Sequence, residues 1–181
     1  MNKPISTWEK WFKPRDDLSG EHPAGDAGQI LFAVLFFSVW IADSFFFHFT
    51  TKLNEIISPW IRHIFGILIL FVAGYCSFNG LRIVFGEIRD TPSIIRKGVF
   101  SAVRHPVYLG EILLYQGLCA ISMSLISYIV SLAAAAFLFY LARFEETRLL
   151  SRFGDDYRQY IQEVGMFVPR VGRRRNEDQR N

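Results

Sequence analysis

The chain lacks the signatures on which most soluble enzymes are built. Its 181 residues hold only two cysteines, Cys76 and Cys119. Each stands alone in an apolar stretch without a CxxC partner, so both read as small core residues and no redox pair is present. None of the four histidines stands at a metal-ligating spacing, so no metal is expected. No Gly-rich phosphate loop, GxGxxG turn or nucleophile elbow occurs, which excludes the standard soluble nucleotide-binding folds. Residues 1–21 are polar and carry Trp8 and Trp11, without an apolar core followed by a small-residue cleavage site. They do not read as a cleavable signal peptide.

What the chain has instead is apolar length. Hydrophobic residues make up 51% and aromatics 16%, with a mean hydropathy of +0.21, and they fall in blocks. A hydrocarbon core about 30 Å thick asks for about 20 apolar residues per helix. Residues 28–49 meet that length, interrupted only by Gln29, Asp43 and His48, and residues 60–81 meet it again with Arg62 and His63 at their start. The block 107–142 has a single charge, Glu111, and is too long for one span. Ser122, Ser124 and Ser127 offer the turn inside it, because hydroxyls bond locally to backbone and weaken helix propagation. Helices are therefore expected at 106–121 and 126–142, giving an all-α integral membrane bundle of four spans.

Lys and Arg set the orientation. Eighteen of the twenty fall before the first span, between the second and third, or after the fourth, against Lys52 and Arg62 alone on the other side. The protein is thus expected to be multi-pass with both termini cytoplasmic. Trp8, Trp11 and Phe12 beside Lys10 and Lys13 read as an interfacial segment. The basic tail, with Arg173, Arg174 and Arg175, suits anionic headgroups, and the net charge of +3 needs no nucleic acid partner. The expected organisation is an interfacial segment at 1–27, two spans within 28–81, a catalytic region at 82–169 and the tail at 170–181.

Two polar clusters share the cytoplasmic side. In GVFSAVRHPVYLG, residues 98–110, a proline-broken stretch holding Arg104, His105, Pro106 and Tyr108 runs into an apolar helix. Pro106 suits a helix start and leaves His105 extended, and helix-start amides there can bind a carboxylate. Arg143, Glu145 and Glu146 close the same hairpin, where the carboxylates can bind an amine or ribose hydroxyls. A positive helix end, acidic groups and aromatic Tyr108 together suit a zwitterionic, nucleotide-like ligand. Taken singly, these residues also fit snorkelling anchors and caps. Asp43, an acid inside an apolar span, is a separate functional candidate, although Ser44 beside it allows local hydrogen bonding.

Residues 98–117 (GVFSAVRHPVYLGEILLYQG) and 143–169 (RFEETRLLSRFGDDYRQYIQEVGMFVP) resemble the isoprenylcysteine carboxyl methyltransferase family and the related phospholipid methyltransferases. The family pattern is RHPxYxG at a helix start, then EExxL, FGxxYxxY and a closing proline. The first two spans carry no usable motif. The resemblance implies an integral membrane enzyme that transfers methyl from S-adenosylmethionine to a hydrophobic or lipid-linked acceptor. It further implies cofactor contacts from Gly98, His105, Pro106, Val107, Tyr108, Leu113 and Glu145, while Arg143 or Glu146 meets the acceptor: Arg143 a carboxylate, Glu146 an amine. Phe100 stands where the family more often has tyrosine. In this picture an amphipathic helix at 145–164, with Leu149, Leu150, Phe153, Tyr157, Tyr160, Ile161 and Val164 on one stripe, closes the hairpin's mouth. Two other readings stay open: an NADPH-dependent reductase of the sterol-reductase type, which has a similar RHPxYxG segment, and a non-enzymatic membrane scaffold.

Overall fold

The computed structural model describes residues 25–86 and 93–170. The interfacial segment with Trp8 and Trp11, Arg89 and the Arg173–Arg175 tail lie outside the described residues. Among the described residues the elements are helical, in the order α1 (Gly25–Ile41), α2 (Pro59–Gly86), α3 (Pro106–Ser122), α4 (Leu125–Phe153) and α5 (Asp155–Glu163). The only strand-like contact among them is an isolated parallel bridge between Val103 and Gly165. The chain is an all-α membrane bundle.

Helix α1 runs on as a wide π turn, Ala42–Phe47. With that extension α1, α2 and α4 are each long and apolar enough to cross a membrane. At 28 residues, α2 is about 42 Å long and overshoots a 30 Å core. Their outer faces suit lipid rather than water: Phe46, Phe71 and Trp60 are 72%, 75% and 79% exposed, and apolar exposure on that scale needs a nonaqueous neighbour. Helix α3 has only 17 residues and is the most enclosed of the four.

Small residues bring α2 and α3 together. Gly66, Ala73 and Gly80 repeat every seventh residue on α2, and Gly110 and Gly117 do the same on α3. A methyl group on Gly110 would lie 2.9 Å from the Ala73 carbonyl oxygen, and one on Gly66 would lie 2.9 Å from that of Gly117. The two backbones are therefore in contact along an antiparallel seam, as small residues permit in lipid. Helix α1 runs chiefly along α4 and reaches α3 through its side chains. There Phe36, fully buried, lies over Tyr115 with ring centroids 4.3 Å apart, joined by Cys119 and Ala134.

The serine turn forms as expected. Met123 takes a left-handed φ of 54°, and Ser124 caps α4 by accepting from the Ser127 amide at 3.3 Å. The end of α4 differs from expectation. The helix continues eleven residues past Ala142 to Phe153, because the Arg, Glu and Leu residues after Ala142 sustain a helix in water as well as in lipid. It stops at Gly154, whose φ of 55° favours glycine. The expected amphipathic helix 145–164 is thus two pieces: Glu145 and Glu146 belong to α4, and only α5 turns back. Tyr157, Tyr160 and Val164 then form a second small core with Ile94, Leu149, Leu150 and Phe153.

Candidate functional site

The α3 start and the C-terminal segment meet at one end of the bundle. Beyond α5 the chain lies alongside residues 103–105. The Arg104 amide donates to the Gly165 carbonyl at 2.9 Å, and the His105 amide to that of Met166 at 3.2 Å. Tyr160 donates its hydroxyl to the Phe100 carbonyl at 2.6 Å. Burial pushes the Tyr160 phenol up to about 12, so it stays a neutral donor.

Beneath this cover lies a buried ionic cluster. Glu146, 2% exposed, accepts on Oε1 from Arg104 Nε at 2.7 Å and from Nη2 at 2.6 Å, while His105 Nε2 stands 3.2 Å away. The third guanidinium nitrogen, Nη1, turns outward to the carbonyls of Val164 and of Ile161 at 3.3 Å. His105 Nδ1 lies 3.6 Å from Glu145, and the Tyr108 hydroxyl donates to the other oxygen of Glu145. His105 therefore bridges both carboxylates. Burial alone would push its pKa down, but bonds to and charges on Glu145 and Glu146 outweigh burial and the net direction is upward. His105 stacks parallel on Tyr108 at 5.8 Å, and the Phe167 ring of the C-terminal segment lies tilted 6.1 Å from the His105 ring.

The two glutamates differ in what they leave free. Glu146 commits Oε1 to three donors, while its buried Oε2 has no hydrogen bond and meets only Arg143 Nη1 at 3.6 Å. Glu145 keeps 16% of its side chain exposed and retains lone pairs for a further donor.

Of the residues picked from sequence, His105, Tyr108, Glu145 and Glu146 converge here, with Pro106 buried at the first position of α3. Arg143 lies at the rim, its side chain 64% exposed. Val107 faces away, toward α2: a methyl group on Gly80 would stand 2.8 Å from Val107 Cγ2. Leu113, nearly two turns into α3, is half-buried. Gly98 opens the short Gly98–Ser101 turn with a φ of 59°, packed against Ile83. Arg104 is the residue that sequence alone leaves without a role, although it stands beside His105 in the same motif. Its exposure of 7% is rare for arginine and requires a paired charge.

Asp43 sits elsewhere, with the serine turn between α3 and α4. It is 3% exposed and accepts from Thr50 Oγ1 at 2.5 Å, the Thr50 amide at 3.1 Å and Ser124 Oγ at 2.6 Å. Its partners are Thr50 and Ser124 rather than the adjacent Ser44. These bonds clasp the end of α1 to the hairpin turn, a structural use of a buried acid.

Fold and site define a helical membrane protein with a buried, hydrogen-bonded charge cluster under its own C-terminal segment. The chain belongs to the phospholipid methyltransferase family, whose family model matches residues 61–156. That range runs from the start of α2 to the start of α5 and contains both polar clusters. Among characterised proteins it is similar to methanethiol S-methyltransferase 2 of Bradyrhizobium diazoefficiens, with 33% identity over 117 residues. The match takes in 65% of this chain and 40% of that protein. It is also similar to methanethiol S-methyltransferase 1 of the same organism, 35% identical over 71 residues, or 39% of this chain and 24% of that protein. The matched stretches thus span less than half of either relative.

Proposed function

We propose that the protein is an integral membrane methyltransferase that uses S-adenosylmethionine, held at the His105, Tyr108 and Glu145 end of the bundle, and methylates a hydrophobic acceptor. The observation that carries this reading is the pair of adjacent glutamates, bridged by His105, at the junction of α3, α4 and the C-terminal segment in a chain of this family. When bound, S-adenosylmethionine supplies a methyl group on a positively charged sulfur, already activated for transfer. The residues present fit such a ligand. Glu145 offers an incompletely occupied carboxylate for an ammonium or ribose hydroxyl, Tyr108 an aromatic face, and the α3 start a positive dipole end for a carboxylate. Pro106 fixes that helix start, Gly98 shapes the turn before it and Leu113 lies deeper on α3, whereas Val107 packs against α2 and supports the site from behind.

Methyl transfer is an in-line displacement, so alignment and exclusion of water supply most of the rate. The chain's contribution is therefore geometric. Phe167, Val164 and Tyr160 close one side with apolar surface, and the Arg104–Glu146 pair holds the floor. Arg143, mostly exposed at the rim beside Glu146, can orient an acceptor carboxylate; Glu146, with one oxygen outside any hydrogen bond, is the group for an acceptor proton. The relatives' names favour a small thiol as the first acceptor to test, ahead of a prenylated cysteine or a phospholipid. Both termini and the site face the cytoplasm in this reading, so a soluble donor enters from the cytosol and an apolar acceptor from the bilayer.

The test uses purified protein in detergent with methyl-tritiated S-adenosylmethionine and three acceptors in parallel: methanethiol, a prenylcysteine and phosphatidylethanolamine vesicles. Label should pass to one class of acceptor, and Glu145→Gln should lose donor affinity. Wild-type protein that binds NADPH and not S-adenosylmethionine would establish the reductase alternative, and one that binds neither the scaffold.

A further inference from the structure

We infer that Arg104 is a positioning residue that ties the carboxylate of Glu146 to the C-terminal segment 155–167, and so holds that segment shut over the site. The inference builds on the methyltransferase reading only for its ligand arm. A guanidinium carries five N–H donors in a rigid fork, and Arg104 spends them in two directions. Nε and Nη2 both reach Glu146 Oε1, at 2.7 and 2.6 Å. Nη1 reaches the carbonyls of Ile161, at 3.3 Å, and of Val164.

Those two carbonyls belong to the last turn and cap of α5, where backbone oxygens have no partner within the helix and an arginine is a favourable neighbour. Glu146 lies on α4, α5 on the returning chain, and Arg104 before α3. One side chain therefore links the α4 carboxylate, the start of α3 and the end of α5. Lysine has no fork and satisfies only one direction at a time.

The segment needs such a tie because its own grip is small. Only Tyr157, Tyr160 and Val164 of it are buried in the apolar core beneath, while Asp155, Asp156, Arg158 and Gln159 face outward. Besides the backbone bonds of Arg104 and His105 to Gly165 and Met166 and the Tyr160 hydroxyl on the Phe100 carbonyl, Arg96 fastens it. Arg96 donates to the Asp156 carbonyl at 2.5 Å and lies over the Tyr160 ring at 5.5 Å. Gly165 is fixed by space: a methyl group there would stand 1.8 Å from the Val168 carbonyl oxygen.

The experiment measures amide hydrogen exchange across 156–166 in the full chain in detergent, without ligand, for wild type, Arg104→Lys and Gly165→Ala. Both variants should speed exchange there by about tenfold or more, the loss of one charge-assisted hydrogen bond, while amides of α2 keep their rates. Gly165→Ala loosens the segment without touching a charge, so it serves if Arg104→Lys does not fold. In the ligand arm, both variants should raise KM for S-adenosylmethionine by a similar factor, with saturating donor restoring most of the turnover. Exchange within twofold of wild type in folded Arg104→Lys would overturn the inference, as would a fall in kcat at unchanged KM. Wild-type protein with no affinity for S-adenosylmethionine would instead remove the proposed function and leave the exchange result to stand.

Discussion

Replacing Glu146 by glutamine, and separately its neighbour Glu145, should divide stability from ligand binding within two adjacent positions. Glu146→Gln keeps shape but removes the charge that Arg104, 5% exposed in its side chain, depends on. Removing one partner of a buried pair costs about 3 to 5 kcal/mol, because the other charge is left buried without compensation. The amide oxygen still accepts from Arg104, and the carbonyls of Ile161 and Val164 still receive Nη1, which sets the expected loss at the lower end, about 3 kcal/mol. The new amide NH2 falls where Oε2 is now, a buried position with no hydrogen bond, and adds to the loss. Glu145→Gln leaves the Tyr108 hydroxyl an acceptor at a partly exposed site, so its stability loss should stay within about 1 kcal/mol. Its affinity for S-adenosylmethionine should fall by about 1.5 to 3 kcal/mol, the range for a hydrogen bond to a charged group. Equilibrium unfolding in mixed detergent measures the first quantity and calorimetric titration the second. A Glu146→Gln protein as stable as wild type, or a Glu145→Gln protein with undiminished affinity, would refute the division.

Three further outcomes follow from the same geometry. Because the folded pKa of His105 lies above its ordinary 6.5, its contribution to stability is complete below pH 6.5 and is lost as pH rises through the folded value; His105→Gln should flatten that part of the unfolding-versus-pH curve, and an unchanged slope would show that His105 is not protonated in the fold. Gly110→Ala places a methyl 2.1 Å from Ser77 Oγ and 2.9 Å from the Ala73 carbonyl oxygen, so α2 and α3 must part and stability should fall by about 1 to 3 kcal/mol; neutral unfolding data would mean the seam is looser than it looks. With eighteen basic residues on one side and two on the other, reporter fusions at Ser124 and at Asn181 should report opposite sides of the membrane, and a common side would reverse the proposed topology.

The hairpin was legible because each of its signals is local. Pro106 marks a helix start by its missing donor, the serines at 122, 124 and 127 mark the turn, and the apolar block between them is long enough for two helices. The end of α4 was not legible from apolar length. Hydropathy reports where lipid ends, whereas a helix ends where backbone geometry changes, twelve residues later at Gly154. The α2–α3 seam is also written in the sequence, as glycine or alanine at 66, 73 and 80 and again at 110 and 117. A motif search passes over it because small residues mark contact rather than chemistry. The family match reaches back to residue 61, so α2, without a recognisable motif of its own, still belongs to the matched unit.

Partners distant in sequence account for the rest. Glu146 lies 42 residues from Arg104, and the carbonyl of Val164 lies 60 residues from the same guanidinium. Neither pairing follows from spacing along one helix. In the motif Arg104 looks like another basic residue at the membrane surface, and the count of eighteen includes it on that ground. In the fold its charge is spent inside the protein, on a carboxylate and two carbonyls. Asp43 shows the converse: an acid within an apolar span invites a functional reading, yet Thr50 and Ser124 occupy its oxygens with structural bonds. The difference between the ends of the bundle is therefore one of unused capacity. Asp43 is engaged by groups that only hold helices together, whereas Glu145 keeps a partly exposed carboxylate and Glu146 an unbonded oxygen, and a site for a ligand requires such a remainder.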